Sequence, residues 1–327
     1  MKKYLILFLL LTSCGGSGGS SDTYTLSTEI SGLAFPVRLE ELPSGKLLIA
    51  ELANGKLSIY DRQKMSSKTL STFPIALEKG IGISGLLVDK DFKSNGFVFV
   101  YRGNSTKNEI TRLTLADESV VKEETLNTFG KVSGHNGGGM IQFENGDILL
   151  GTGDAAAPDS AQDRTSLNGK LILLNRDGQI INANYSTGLR NPFGLSRAKN
   201  KIVVLDNGPD CDDKIYLVTE NANFSWRANY VCGESKQQFT NPIYSWKKSE
   251  GVTDILYSQN SIFSGKLLVA RYNTKNLYVL DFDGDTAHLE TELFNTTKQG
   301  PIIDILETHN GEILLASEDG NIYRIDN

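Results

Sequence analysis

Long apolar runs, histidine and cysteine are all scarce in this 327-residue chain, and each scarcity excludes something. The longest unbroken apolar stretch, Tyr4 to Leu11, is less than half of the about 20 residues a membrane-spanning helix needs. There are three histidines, and only His135 lies in a glycine-rich loop. Basic residues are outnumbered, 33 Lys and Arg against 39 Asp and Glu, which argues against nucleic acid and anionic lipid surfaces as partners. Helical periodicity is missing too. No window of about 11 residues carries apolar positions at helical spacing without an intervening Gly or Pro, so helices should be few.

The leader is informative. Met1-Lys2-Lys3, the apolar run and Thr12-Ser13-Cys14 have the order of a secretory signal peptide. Leu11-Thr12-Ser13-Cys14 resembles the lipobox of bacterial lipoproteins, in which the Cys is acylated and becomes the mature N-terminus; the alternative is ordinary cleavage near Ser13. Gly15 to Ser21 is a Gly/Ser tether of the kind a lipid-anchored domain needs. The expected layout is a signal peptide at 1–13, lipidated Cys14 with its tether at 14–22, and one domain at 23–327. The membrane would then be met only through the lipid anchor, at the bacterial cell envelope. By resemblance to enterobacterial sorting rules, Gly15, rather than Asp, after the Cys implies the outer membrane, facing the periplasm or the surface. Without residues 1–13, which hold two lysines and no acid, the balance is 31 basic against 39 acidic residues, a net charge of −8. Cys211 and Cys232 then remain as an even pair in an exported chain, suited to a disulfide or else to two buried thiols.

A turn followed by a β-rich run recurs six times: Ser44 to Ala50, Asn95 to Tyr101, Asn145 to Gly151, Asn200 to Leu205, Ser264 to Ala270 and Asn310 to Ala316. The spacing is about 50 residues, with one longer interval before the fifth copy, which is the period of a four-stranded propeller blade. Asn54-Gly55 and Asp319-Gly320 mark hairpins to a following strand. The expected fold is therefore all-β, a six-bladed β-propeller with four-stranded antiparallel blades. A strand near Tyr24–Ile30 should close the ring against the blade holding Glu312–Ile325 and so hide its free edges.

Functional residues of such a fold belong on the loops at one end of the central channel. Three segments qualify. Ser133 to Met140 is Gly-rich and carries His135, whose neutral imidazole could take a proton from a hydroxyl; alone, a surface histidine in a flexible turn is the simpler reading. Gly188 to Gly194 pairs Arg190, a planar fork for carboxylates, with Asn191. Asp206 to Asp213 is an acidic turn that suits either a hard cation such as Ca²⁺ or plain solvation, and it lacks EF-hand spacing.

At these residues the chain resembles the glucose/sorbosone dehydrogenases, soluble aldose dehydrogenases that use pyrroloquinoline quinone (PQQ). Leu86 to Phe97, Gly153-Asp154 through Ala161-Gln162-Asp163 to Leu167-Asn168-Gly169-Lys170, Gly188 to Pro192, Gly208 to Asp213, Pro242 to Trp246 and Phe263 to Val269 follow that family's order of motifs. The resemblance implies PQQ over a Ca²⁺ ion on the channel face, an aldose or related polyol as substrate and an electron acceptor that it leaves open. It makes His135 the base, puts Arg190, Asn191 and Asn207 beside the cofactor, and gives the metal to the backbone carbonyls of Gly208 and Pro209.

The chain also departs from the family pattern. Asn273 stands where a Lys is usual, and Pro301-Ile302-Ile303 precedes Asp304 where Arg-x-Arg is usual; those cations pair with the PQQ carboxylates. Gly134 replaces an Asp before the His, a Gln is missing near Gly80, and Lys214 replaces an acid after the metal loop. A buried anion without a partner costs several kcal/mol, so Arg271 and Lys275, two residues either side of Asn273, are expected to substitute as cofactor contacts, with Lys298 near the altered segment. The rival reading is an inert propeller that binds a sugar or a protein at the same face.

Overall fold

The computed structural model describes residues 24–76, 81–132 and 134–327. The signal peptide, Cys14, the whole tether and Gly80 lie outside the described residues. Six antiparallel sheets follow one another along the chain. Their innermost strands are Pro36–Glu41, Ile83–Val88, Gly137–Gln142, Pro192–Ala198, Val252–Tyr257 and Ile302–Glu307, and each packs against its neighbours in a closed ring. Among the described residues the only helical segments are single turns at Phe92–Asn95 and Pro158–Ala161. The six-bladed propeller expected from the repeats is what forms.

The recurring phrase is the second strand of every blade: Leu47–Glu51, Phe97–Gly103, Ile148–Thr152, Lys201–Asp206, Lys266–Arg271 and Ile313–Ser317. Flanked on both sides within its sheet and covered by adjacent blades, this strand is buried almost throughout, which is why it reads as a continuous apolar run instead of an alternating one. Thr25–Ile30 pairs antiparallel with Ile322–Asp326, Leu26 opposite Ile325 and Thr28 opposite Tyr323, and so closes the ring. Blade three gains a short fifth strand, Ala222–Asn223, parallel to Ile180–Thr187.

All six innermost strands are bulged near their first residue, between Pro36 and Arg38, Ile83 and Gly85, Gly137 and Met140, Pro192 and Gly194, Val252 and Asp254, and Ile302 and Asp304. A bulge leaves one residue unpaired and re-aims its side chain. Here the skipped residues Val37, Ser84, Phe193, Thr253 and Ile303 all line one cavity at that end of the channel. In blade three the skipped pair is Gly138-Gly139, which has no side chain to offer.

Beneath this floor a buried ion centre ties the blades together. The Arg38 guanidinium meets Asp304 at 2.7 Å and Asp254 at 3.9 Å, donates to the carbonyls of Ser84 and Phe193, and lies 3.7 Å from the centre of the Phe193 ring. One cation serves two buried acids, and Glu40 beside them is pushed up to about 8, chiefly by burial and then by the charge of Asp304, against the pull of Arg38.

Candidate active site

The cavity holds about 410 Å³ and is walled by the turns that enter the innermost strands and leave the second strands. Phe35, Leu52, Ile81 and Ile303 make an apolar side, while Asn136, Asn191, Asn207 and Asn273 bring amides to the other. None of the described residues lining it is charged.

At its edge the three segments singled out in the sequence converge on His135. The His135 Nδ1 atom lies 2.8 Å from Asp154 Oδ1, and Nε2 lies 2.9 Å from Arg190 Nη2. A guanidinium has no acceptor. Nε2 therefore accepts from Arg190, and the ring proton sits on Nδ1, donated to Asp154. Asp154 is fully buried and also accepts from the Ala156 amide and the Trp226 indole N–H, at 2.8 and 2.7 Å. Local backbone is bent to allow this. Ala155 and Ala156 both sit in the left-handed region, and a side chain on Gly153 would run into the His135 carbonyl at 2.0 Å.

Arg190 also donates to the Asn207 carbonyl at 3.0 Å and to its side-chain oxygen at 3.2 Å, and Asn191 accepts from the Gly137 amide at 3.0 Å. The amides of Arg190 and Asn191 both end on buried Asp206, whose carboxyl is raised to about 6 by burial despite those bonds. His135, Arg190, Asn191 and Asn207 thus form one connected group.

The acidic turn behaves differently from a carboxylate metal loop. Asp213 accepts from the amides of Gly208, Glu250 and Gly251, and Asp212 accepts from the Tyr230 hydroxyl and the Gly233 amide. The carboxylates of Asp206, Asp212 and Asp213 are thus occupied with structure, while Asp210 is exposed. Among the described residues nothing donates to the carbonyls of Gly208 and Pro209. Lys214 faces the same small cavity as Gly208 and Pro209 and hydrogen bonds with Tyr230. Cys211 and Cys232 are bonded to each other, with Cα atoms 6.1 Å apart, so the neighbouring Cys211, Asp212 and Cys232 form no thiolate metal site.

Arg271 and Lys275 do not come to the cavity. The expectation assumed a regular strand through Asn273, but the strand ends at Arg271 and a turn follows, with Lys275 itself in the left-handed region. Arg271 is buried against Glu250 and Glu290 and under the rings of Trp246 and Tyr278. Lys298 is exposed and lines nothing there. Asn273 and Ile303, at the positions of the family's cations, do face the cavity, but without charge.

Two groups went unassigned in the sequence: Asp154, which appeared only within a motif, and Trp226, about seventy residues further on. A third is Lys170, fully buried, whose ammonium donates to the carbonyls of Ser160, Ala161 and Asn168 and whose pKa falls to about 8 through burial. It shapes the loop carrying Asp154.

The chain is 24% identical over 299 residues to quinoprotein glucose dehydrogenase B of Acinetobacter calcoaceticus, covering 77% of this chain and 62%, under two thirds, of that protein. It is 24% identical over 328 residues to aldose sugar dehydrogenase YliI of Escherichia coli (strain K12), covering 85% of this chain and 86% of that one. The structure of the PQQ-bound aldose sugar dehydrogenase from Streptomyces coelicolor superposes with a TM-score of 0.83 at 21% identity, over 93% of this chain and 98% of that one, and shows the shared fold. The family model for glucose/sorbosone dehydrogenase matches residues 33–324, nearly the whole described propeller, so the chain belongs to the glucose/sorbosone dehydrogenase family.

Proposed function

We propose that the protein is an oxidoreductase that oxidises an aldose sugar or related polyol at the mouth of the channel, with His135 as base. The observation that carries this reading is the His135–Asp154 pair, which leaves Nε2 as an acceptor on a residue between Gly134 and Asn136, both lining the cavity, in a chain of this family. A sugar hydroxyl that replaces Arg190 Nη2 at Nε2 can pass its proton to that nitrogen. Asp154 then faces the resulting imidazolium, and the displaced guanidinium stays beside the oxygen that becomes negative. Asp154 also prevents the ring from flipping to the unproductive tautomer.

PQQ is the proposed cofactor, supported by its presence in the name of a structural relative. The cavity's size and its facing apolar and amide walls fit a planar heterocycle, with Asn191, Asn207 and Phe193 as contacts and Arg190 as the adjacent cation. When bound it would supply the acceptor for the hydride leaving the sugar carbon. For Ca²⁺ the carbonyls of Gly208 and Pro209 would be two of the six to eight oxygen ligands that this ion takes. The lack of charge at Asn273 and Ile303 favours a second reading, an inert propeller that holds a neutral sugar.

Purified protein incubated with PQQ and Ca²⁺ should reduce a redox dye when given an aldose. Binding of sugar without any turnover, and with no PQQ heat by calorimetry, would select the inert propeller. The envelope location is proposed on the lipobox-like Leu11 to Cys14: the wild type should fractionate with membranes and Cys14→Ser with the soluble fraction.

A further inference from the structure

Trp226 belongs to a segment whose position is set independently of the histidine. Its amide donates to the Gly188 carbonyl at 2.9 Å, and its carbonyl accepts from Gln162 Nε2 at 2.7 Å. Gln162 is held in turn by reciprocal bonds with Asn223. Further along, Cys232 fastens the same segment to the 206–213 turn, and the Tyr230 ring packs 5.5 Å from the indole. The indole is therefore held at both ends, its N–H ends on Asp154 Oδ2 at 2.7 Å, and its ring lies 5.7 Å from the Arg190 guanidinium.

We propose that Trp226 is a positioning residue for His135, acting through Asp154; the catalytic part of this inference rests on the function proposed above. The three donors divide the carboxylate unequally. Oδ1 takes the His135 Nδ1–H and the Ala156 amide, and among the described residues Oδ2 takes the indole N–H alone. With no solvent at Asp154, the indole is the one donor shown to hold Oδ2. An unsatisfied oxygen in such a place is costly. Without the indole N–H the carboxylate would turn to share its remaining donors, and its plane would leave the line of the His135 N–H. The imidazole, no longer anchored at Nδ1, would then tilt away from Arg190 as well and lose its single tautomer, and Nε2 would spend part of its time protonated and unable to act as base. Trp226 also shields the back of Arg190, so one side chain steadies both neighbours of the imidazole.

The test is Trp226→Phe, which keeps a ring for packing and deletes the N–H. Two-bond ¹H–¹⁵N correlation spectra of uniformly labelled protein should show His135 of the wild type as the Nδ1–H tautomer and Trp226→Phe as an exchanging mixture. In dye-linked assays kcat should fall about tenfold with KM changed less than about threefold, and the acidic limb of the pH–rate profile should move. Trp226→Gln, which restores an N–H donor, should recover part of both signals. Gln162→Ala, which frees the Trp226 carbonyl, should give a smaller change of the same sign and replaces the Phe variant if that one does not fold by circular dichroism. An unaltered tautomer together with unaltered kcat in the folded Phe variant would overturn the proposal. If the wild type itself turns over no aldose, the enzymatic reading fails on its own account, and the spectra still decide what Trp226 does for His135.

Discussion

Asn273→Lys restores one positive charge to a cavity that has none among its described lining residues, and the structure says what this should achieve. Asn273 is exposed on the turn after the second strand of blade five, and its side-chain amide donates at long range to Ser249, 3.3 Å to the carbonyl and 3.5 Å to the hydroxyl. Losing them costs little. A charged hydrogen bond to a PQQ carboxylate contributes about 1.5–3 kcal/mol. Because the position is solvent-accessible, that figure must be discounted to about 1–2 kcal/mol for screening and for ordering a long side chain. The expected gain in PQQ affinity is therefore about five- to thirtyfold, read by isothermal calorimetry on the apoprotein. It should shrink between about 0.1 M and 1 M salt as the screening length falls from about 10 to about 3 Å, and Asn273→Gln should show no gain. A folded Asn273→Lys variant that binds PQQ no better than wild type, or binds it better with no salt dependence, would refute the view that missing cations limit this cavity. The same change at Ile303 would confuse the result, because Ile303 is 4% exposed and packs in the core between blades one and two.

His135→Asn should lower turnover by about two to four orders of magnitude while PQQ affinity stays within about twofold, and an unchanged rate would remove His135 from the chemistry. Replacing both Cys211 and Cys232, which are 21 residues apart, with Ser should cost about 3 kcal/mol in denaturant unfolding; a loss below about 1 kcal/mol would show that the bond does not constrain the unfolded chain. Lys214→Glu turns an ammonium beside Gly208 and Pro209 into a carboxylate and should strengthen Ca²⁺ binding about tenfold in a thermal-shift titration, whereas equal or weaker binding would separate Lys214 from the metal. Glu40 holds its proton more tightly folded than unfolded, so its contribution to stability is present below about 4.5 and is lost as pH rises toward about 8. Glu40→Gln should therefore raise Tm more at pH 8 than at pH 4.5; an equal change at both would mean that Glu40 does not titrate in this range.

Local pattern was enough to determine the blades of this protein. A strand flanked by partners and covered on both faces must be apolar throughout, and its entry turn is Asn-Gly or Ser-Gly in five copies and Asn200-Lys201 in the sixth, so the second strand of each blade announces itself in the sequence six times. Ring closure followed from the same logic, because the Tyr24–Ile30 segment needed a partner and the last blade lacked a strand. Local chemistry also brought His135, Arg190 and Asn191 into view, since glycine-rich and Pro-bounded turns are where a propeller presents side chains.

What the tertiary structure alone decided are the relations between residues far apart in the chain. Trp226 reaches Asp154 only because the segment after blade four's third strand folds back over blade three, and no local signal marks that return. The bulges select Val37, Ser84, Phe193, Thr253 and Ile303 as the cavity floor by skipping one residue in the ladder, a shift that leaves the apolar pattern of each strand intact and so leaves no trace in it. Arg271 illustrates the opposite error. Alternation of faces predicts its direction only while a strand continues, and this one stops at Arg271, where two half-buried acids and two aromatic rings hold the guanidinium. Strand identity is a property of the local chain, whereas the direction of a side chain at a strand's end depends on which neighbouring charges the fold brings within reach.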